Sequence, residues 1–315
     1  MIGKDKALEV MNYLILHGKD EACKAFSLTE ETLNRYKREA KKHFGDSLDL
    51  VVGLSEKFTS EELKQLASGS LISPNDTKHV KHSFDGEEIT FGVMSDTHVG
   101  SIYTNPMYIT QAFEEMDKNG CAFVAHAGDL VEGFMGRPGD VYELSHIGYK
   151  AQRDEAVRLF KDWTKPLYIV AGNHSMSFNT KIGAGMDITE DFCSRIPNGH
   201  YLGVNDGVIT LNGAKIMVWH GGDGSAVSLG YRDQKLADSF SGGEKPHALI
   251  TGHLHKAHYF FYRNIHIIGG GSLQRQSGWM RAKKLQAHVG FWIIKTAIAK
   301  GEIKWMQTRW YPFYE

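Results

Sequence analysis

From residue 89 onward, short apolar segments alternate with segments of helical periodicity. The strand-like runs span 89–94, 122–125 and 167–170, and the helix-like runs span 106–118, 151–163 and 188–195. Strands that alternate with helices form a central sheet with helices packed against it. The pattern therefore predicts an α/β domain.

The C-terminal part of the chain carries hairpin signals instead. Asn212-Gly213 separates two strand-like runs, and Arg263-Asn264 separates two more. Further strand-like runs at 289–295 and 302–310 finish the chain. Two-residue turns of this kind favour antiparallel pairing. Together with the preceding α/β pattern, they predict a two-sheet α/β/α sandwich with functional loops at the strand ends.

Residues 1–70 have a different pattern and are predicted to be all-helical. One buried helix face is marked by Leu8, Met11, Leu14 and Ile15. A short segment at 21–26 is followed by three turn residues and a longer helix at 30–44, and Ser27 and Glu30 have capping-box spacing. This order of short helix, turn and longer helix is typical of a helix-turn-helix.

A cluster of turn-forming residues at 68–77 separates the helical part from the α/β part. Just before it, Thr59 and Glu62 repeat the capping-box spacing and predict one more helix. We therefore expect three regions. They are a helix-turn-helix-like domain over 1–70, a linker and first hairpin over 71–86, and the α/β domain over 87–315.

Composition narrows the class of protein. Hydrophobic residues make up 42% and charged residues 23% of the chain, which excludes a disordered, collagenous or coiled-coil protein. The 36 Lys and Arg balance 37 Asp and Glu, so any nucleic-acid contact must be local. Three separated cysteines indicate neither a disulfide framework nor a structural zinc site. Because no apolar run approaches the roughly 20 residues that span a bilayer, we expect a soluble, cytoplasmic protein with no membrane partner.

Histidine is abundant, with 16 residues, and several ligand-type side chains follow the ends of predicted strands. They are Asp96, His98, Asp129, Asn173, His174, His220, His253 and His255. In an open α/β sheet, the rim at the carboxyl ends of the strands is where ligands bind. Imidazole suits transition metals, and carboxylate and amide oxygens complete a mixed site without thiolate. The sequence therefore predicts a metal site at this rim.

Each short motif alone is typical of a turn or a helix cap, but their order is specific. The motifs are Asp96-x-His98, Gly128-Asp129, Gly172-Asn173-His174, His220-Gly221 and Gly252-His253-x-His255. This ordered set resembles the five signature motifs of the calcineurin-like metallophosphoesterase superfamily, over about residues 89 to 272. The N-terminal helices lie outside the resemblance.

The resemblance implies two divalent metal ions and a catalytic histidine. One ion would be held by Asp96, His98, Asp129 and His255, and the second by Asp129, Asn173, His220 and His253. Asp129 is the implied bridge between them. His174 matches the family's catalytic histidine, which is not a ligand. The family usually has an acidic residue after that histidine, whereas this chain has Ser175, so that position offers His174 no carboxylate.

Two cations in such a site share a water, lower its pKa and bind the phosphoryl oxygens for in-line displacement. The bridging hydroxide is then expected to attack phosphorus, while His174 stabilises the developing charge or protonates the leaving oxygen. Manganese is the expected metal. Iron, zinc, cobalt and nickel are alternatives, because all accept nitrogen and oxygen ligands.

The substrate is not decided by the fold, which serves many phosphoesters. Segments 95–101 and 128–133 resemble the DNA-repair exonuclease branch and the exonuclease subunit of archaeal polymerases. The basic residues of the second predicted helix are candidates for DNA contact: Arg35, Lys37, Arg38, Lys41 and Lys42. Arg275, beyond the last motif, is a candidate for binding a substrate phosphate. We therefore expect a phosphodiesterase or nuclease acting on DNA.

Other interpretations stay open. The enzyme could be a phosphatase or phosphodiesterase for nucleotides or phosphoproteins. The N-terminal helices could serve dimerisation, which would make the protein a homo-oligomer. The chain could also be a DNA-tethered scaffold with a vestigial metal site, although the intact ligand set argues against this. The combination of a helix-turn-helix with a phosphoesterase resembles proteins encoded by bacteriophages and prophages, which would place it in the cytoplasm of a bacterial host.

Overall fold

The computed structural model describes residues 4–44, 77–181, 185, 187–221 and 228–314. Contacts divide the chain into two compact units, Met1–Ser73 and Pro74–Glu315. Within the described part of the chain, no helix combines the length and the apolar character that crossing a bilayer requires. The further helix predicted from Thr59, and most of the predicted linker, lie outside the described residues.

The first unit contains a pair of helices, α1 (Lys4–Ala25) and α2 (Glu30–Phe44). Met11 and Leu14 of α1 are buried together with Leu33 of α2. The separate segment predicted at 21–26 is wrong, because the apolar face of α1 continues to Ala22 and keeps the helix unbroken.

The capping box predicted from Ser27 and Glu30 is also wrong. Ser27 has a φ of 51° and lies in the turn between α1 and α2. The hydroxyl of Thr29 accepts the backbone N–H of Thr32 at 3.2 Å instead. The N-cap of α2 is therefore Thr29, two residues later than expected.

The second unit is built on two mixed six-stranded sheets. Its strands are β1 (His79–His82), β2 (Glu88–Met94), β3 (Val124–His126), β4 (Leu167–Val170), β5 (Gly199–Gly203), β6 (Asp206–Leu211), β7 (Ala214–Trp219), β8 (Ala248–Thr251), β9 (Ala257–Tyr262), β10 (Ile265–Gly270), β11 (Gly290–Ala299) and β12 (Glu302–Pro312). The first sheet has the order β1-β6-β7-β8-β10-β9 and the second the order β12-β11-β2-β3-β4-β5. Strands β2 to β5 are parallel neighbours, as are β7, β8 and β10.

The two sheets face each other across a shared apolar core. It contains Phe91 and Phe123 from the second sheet and Ile216 and Ile250 from the first, all fully buried. The two Phe rings stack with 4.8 Å between their centroids. Such stacking stabilises a core beyond what the burial of the two rings contributes. On β7 the buried residues alternate with partly exposed ones, as expected when one face of a strand meets the opposite sheet.

Helices cover the outer faces of both sheets. The α-helices described in this unit are α3 (Pro106–Lys118), α4 (Tyr149–Phe160), α5 (Ser177–Thr180), α6 (Ile188–Arg195), α7 (Tyr231–Ser239) and α8 (Gly278–Ala282). Phe113 of α3, Phe160 of α4 and Phe192 of α6 pack on the second sheet, and Ala237 of α7 packs on the first. The predicted two-sheet α/β/α sandwich is confirmed.

The segment predicted to form a first hairpin, 71–86, pairs differently in its described part. Strand β1 lies parallel to β6, with His79 opposite Val208, while β2 belongs to the other sheet. The side chain of Asn212 accepts the backbone N–H of Phe84 at 3.3 Å and donates to its carbonyl at 3.0 Å. These bonds hold the chain where it passes between the two sheets, so no hairpin joins β1 to β2.

Candidate metal centre and active site

Five parallel-paired strands end at one rim of the sandwich, and each is followed by ligand-type side chains. Asp96 and His98 follow β2, Asp129 follows β3, Asn173 and His174 follow β4, His220 follows β7, and His253 and His255 follow β8. Three of these strands belong to the second sheet and two to the first. The predicted residues therefore come together from both sheets.

The backbone at the rim is strained. Positive φ angles occur at Asp96 (51°), His98 (44°), Asp129 (51°), His253 (70°) and His255 (54°). Non-glycine residues rarely adopt this region, and each instance costs on the order of 1–3 kcal/mol. The loops are held by hydrogen bonds, such as Asp96 N–H to the Gly128 carbonyl at 2.9 Å. Strain concentrated at one point is typical of a functional site.

One ligand cluster is formed by Asp96, His98 and His255, all buried. Nε2 of His98 lies 3.1 Å from Nε2 of His255, and the latter lies 3.3 Å from Oδ1 of Asp96. The carboxylate of Asp96 also accepts the backbone N–H of His253. Its position is thereby fixed between the two motifs.

A second cluster is formed by Asp129, Asn173, His220 and His253. Nε2 of His220 lies 3.0 Å from Oδ2 of Asp129 and 3.1 Å from Oδ1 of Asn173. Nδ1 of His253 lies 2.8 Å from the same Asn173 oxygen. Oδ2 of Asp129 is also 3.9 Å from Nε2 of His98, so this carboxylate lies between the two clusters.

The spacing of these atoms fits divalent metal ions. Ligand atoms about 2.1 Å from one ion, in tetrahedral or octahedral geometry, lie about 3.0–3.4 Å from each other. The contacts of 3.1 Å between His98 and His255 and of 3.0 Å between His220 and Asp129 match this spacing. Two imidazole nitrogens that face each other so closely need a proton or a cation between them. The residues present therefore fit a two-ion site with Asp129 as the shared ligand.

The tautomer of His220 is set by its surroundings. Its Nδ1–H donates to the carbonyl of Ala127 at 2.7 Å, because a carbonyl only accepts, and Nε2 is left as the ligand atom. Burial lowers the pKa of His220, but the Asp129 and Asp96 carboxylates outweigh it and raise the pKa to about 9.

Glu132 is a site residue that the sequence analysis did not single out. Its carboxylate lies 2.9 Å from Nδ1 of His98 and 3.6 Å from Nδ1 of His174, and it accepts the Gln274 amide at 2.7 Å. Burial disfavours the charged imidazole of His98, yet Glu132 and Asp96 raise its pKa to about 10. The available signal was its place three residues after Asp129, on the loop that follows β3. Glu132 thus supplies a carboxylate that position 175 lacks.

His174 is oriented by two bonds. Its backbone N–H donates to Oδ1 of Asp129 at 2.7 Å, and its Nδ1–H donates to the Glu132 carbonyl at 2.8 Å. Burial lowers the pKa of His174, and the Glu132 and Asp129 carboxylates oppose this shift. Nε2 is therefore the imidazole nitrogen available to a substrate. Ser175 is buried and its Oγ accepts the Val131 N–H at 3.4 Å, which makes it part of the loop structure.

A cavity of about 570 Å³ opens directly over the clusters. His98, Asp129, Asn173, His174, His253 and His255 form one part of its wall. The rest includes Met135, Arg137, Lys256, Trp279, Met280, Lys283 and Leu285. Arg275 is not among the described lining residues, and its Nε donates to the carbonyl of Tyr103 at 3.4 Å. Its contact with substrate stays a prediction.

The candidate DNA-binding residues lie on α2. Arg35 and Arg38 are exposed, Lys37 is half-buried, and the apolar face of the helix packs through Leu33 against α1. The side chains of Lys41 and Lys42 lie outside the described part of the structure. The basic face is therefore at least partly accessible, and its contact with DNA stays a prediction.

Comparison with known proteins places this site in a family. The model of the calcineurin-like phosphoesterase superfamily domain matches residues 89–289. The chain is 26% identical to the DNA polymerase II small subunit of Methanothermobacter thermautotrophicus, over 62% of this chain and 50% of that protein, so it spans about half the length of this curated relative.

Solved structures with a similar fold include an archaeal phosphodiesterase, with 14% identity, 71% of this chain and 100% of that chain covered, and a TM-score of 0.42. Another is Vps29 of Cryptosporidium parvum, with 16% identity, 72% and 100% covered, and a TM-score of 0.40. The family model spans more than half of the chain and contains all five motifs of the rim. This protein belongs to the calcineurin-like phosphoesterase superfamily.

Proposed function

We propose that this protein is a two-metal phosphodiesterase that cleaves DNA. The observation that carries the proposal is the position of Asp129, whose Oδ2 lies 3.0 Å from Nε2 of His220 and 3.9 Å from Nε2 of His98. It thus joins two ligand clusters beside a cavity large enough for a nucleotide.

The chain's own residues have distinct roles in this proposal. One ion would be held by Asp96, His98, Asp129 and His255, and the other by Asp129, Asn173, His220 and His253. Two divalent ions, manganese in our proposal, would supply a nucleophile at neutral pH and neutralise phosphoryl charge. His174, held by the Glu132 carbonyl through Nδ1–H, presents Nε2 to the substrate, and as the imidazolium it would donate the Nε2 proton to the leaving oxygen.

Two observations favour DNA. Arg137, Lys256 and Lys283 add positive charge to the cavity wall, where a polyanion would extend beyond the scissile phosphate. The relative from Methanothermobacter thermautotrophicus is by its name a DNA polymerase subunit. A phosphatase or phosphodiesterase for nucleotides is the second candidate, because the same cavity would hold a single nucleotide.

The test uses metal-stripped protein reloaded with Mn²⁺ and three substrates: a 4-nitrophenyl phosphodiester, 4-nitrophenyl phosphate and labelled DNA. We expect cleavage of the diester and of DNA, with Asp129→Asn inactive on both. Hydrolysis of the small esters without any cleavage of DNA would contradict the nuclease. Preference for the monoester would indicate a phosphatase, and no hydrolysis at all would favour the non-enzymatic scaffold.

The role of α2 can be tested in the full chain. Replacing Arg35, Lys37 and Arg38 by Gln should weaken DNA binding and lower the slope of log K against log salt by about 0.9 per lost phosphate contact. Lys6→Gln, on α1, is the matched control. Unchanged DNA affinity, together with a dimer in light scattering, would assign the N-terminal helices to oligomerisation.

A further inference from the structure

An exposed tryptophan lies in the wall of the cavity that holds the two ligand clusters. Trp279 is 46% exposed, whereas the next residue, Met280, is buried. Both belong to α8, where the hydroxyl of Ser277 accepts the Met280 N–H at 3.2 Å and the Leu285 N–H donates to the Met280 carbonyl at 2.9 Å. The ring is therefore presented by an ordered turn, and its exposure is not explained by chain fraying.

A cation accompanies the ring. The guanidinium of Arg137 lies 5.5 Å from the centroid of Trp279, within cation–π range. Arg137 is itself held by Asp140, through Nε at 3.2 Å and through its backbone N–H at 2.8 Å. Lys283 lines the same cavity, and its backbone N–H donates to the Trp279 carbonyl at 3.1 Å. The ring of Trp279 thus offers a flat aromatic surface beside two cations, of which Arg137 is paired with Asp140, and Glu143 lines the same cavity.

Binding of a phosphate group alone does not require the aromatic surface of Trp279, because the ligand clusters already provide the charge partners of the phosphate. Base–aromatic stacking, in contrast, needs only an accessible ring and tolerates any base. Nearby cations suit the phosphates that flank a nucleobase. Met135, Met280 and Leu285 add apolar surface to the wall of the same cavity.

We propose that Trp279, assisted by Arg137, stacks the nucleobase adjacent to the scissile phosphodiester, so that the enzyme acts on nucleotides whose base is unpaired. The inference rests on the proposed phosphodiesterase activity of the same site. A base inside a duplex is already stacked and paired, so it must leave the helix before it can reach Trp279. Single-stranded DNA and frayed ends are therefore the preferred substrates.

The test compares two esters with the same leaving group: thymidine 5′-(4-nitrophenyl phosphate), which has a base, and methyl 4-nitrophenyl phosphate, which has none. Trp279→Ala should lower kcat/KM about tenfold for the thymidine ester and leave the methyl ester unchanged, and Trp279→Phe should restore most of the loss. Trp305→Ala is the matched control, because Trp305 is 40% exposed on β12 and is absent from the described cavity wall. Equal losses on both esters, or none, would overturn the proposal.

Binding separates a failure of this inference from a failure of the proposed function. If the wild-type protein hydrolyses neither ester, the proposed phosphodiesterase activity is refuted. Calorimetry then compares the affinities for thymidine 5′-monophosphate and methyl phosphate, which tests base stacking on Trp279 without any turnover. Tighter binding of the nucleotide that is lost in Trp279→Ala would support the inference. Equal affinities would overturn it, as would a phosphoserine peptide that binds more tightly than the nucleotide and requires Trp279.

Discussion

The substitution Gly172→Ala tests whether the rim positions Asp129 as tightly as the structure indicates. Gly172 has a φ of 88°, and a Cβ there would lie 2.5 Å from Oδ1 and 2.6 Å from the backbone nitrogen of Asp129. Since real Cβ contacts are essentially never shorter than 3.0 Å, Asp129 and the backbone of Gly172 must move apart by about 0.5 Å. This equals the tolerance of about 0.5 Å within which a preorganised site keeps its function.

The expected magnitude has two parts. A Cβ at positive φ costs about 1–2 kcal/mol, and forcing a side chain into a filled space costs about 1–3 kcal/mol. Because Oδ1 of Asp129 accepts the His174 N–H at 2.7 Å and Oδ2 lies 3.0 Å from His220, the displacement disturbs both the catalytic candidate and the second cluster. We expect a loss of about 2–5 kcal/mol in the free energy of unfolding and a metal content well below that of the wild type.

Gly86→Ala provides the matched control. Gly86 has a φ of 85°, nearly the same as Gly172, but among the described residues nothing lies within 4 Å of its added Cβ. It should therefore lose only the backbone part, about 1–2 kcal/mol, and keep its metal. The assays are thermal unfolding and elemental analysis of Mn²⁺-loaded protein. If Gly172→Ala binds as much metal as Gly86→Ala and unfolds at the same temperature, the argument that Asp129 is held tightly against Gly172 is refuted.

Three further predictions concern the residues around the clusters. His174→Ala should lower kcat strongly while metal content stays near wild type, because His174 is not assigned as a ligand; loss of metal together with activity would contradict that role. Glu132→Gln should lower metal affinity or kcat about 10- to 100-fold, because His98 and His174 lose a carboxylate 2.9 Å and 3.6 Å away, whereas Glu143→Gln, in the same cavity, should change little. Metal binding at pH 7.5 should release protons and tighten as the pH rises to about 9–10, because His98 and His220, with pKa values raised to about 10 and about 9, carry protons that the metal must displace. Calorimetry in two buffers of different ionisation enthalpy measures the release, and its absence would contradict the assigned ligand atoms.

Much of the fold could be predicted because the local signals were strong. The apolar run of β4 has the predicted ends, as do the helices α3 and α6. The pairing of strand β1 was predicted wrongly, as a hairpin, because its burial pattern is that of an exposed edge and carries no strong apolar alternation. Its parallel pairing with β6 joins residues more than a hundred positions apart, which local periodicity cannot reveal.

The ligand set was predictable from motif order, but its surroundings were not. His98 and His255 are 157 residues apart in the chain, and their contact depends on two sheets that meet at one rim. Glu132 was visible in the Gly128-Asp129 loop, yet its pairing with His98 and His174 depends on side-chain positions. No sequence pattern predicted a role for Trp279, because only the folded chain shows that it lines the cavity.

We propose that two ions bound at the shared carboxylate of Asp129 make this protein a phosphodiesterase. The decisive measurement is a titration of metal-free protein with Mn²⁺ while hydrolysis of a 4-nitrophenyl phosphodiester is followed. Hydrolysis should be absent without metal, and its rate should reach a plateau at two ions per chain. Hydrolysis in the presence of a chelator, a plateau at one ion, or no hydrolysis at any Mn²⁺ concentration would contradict this proposal.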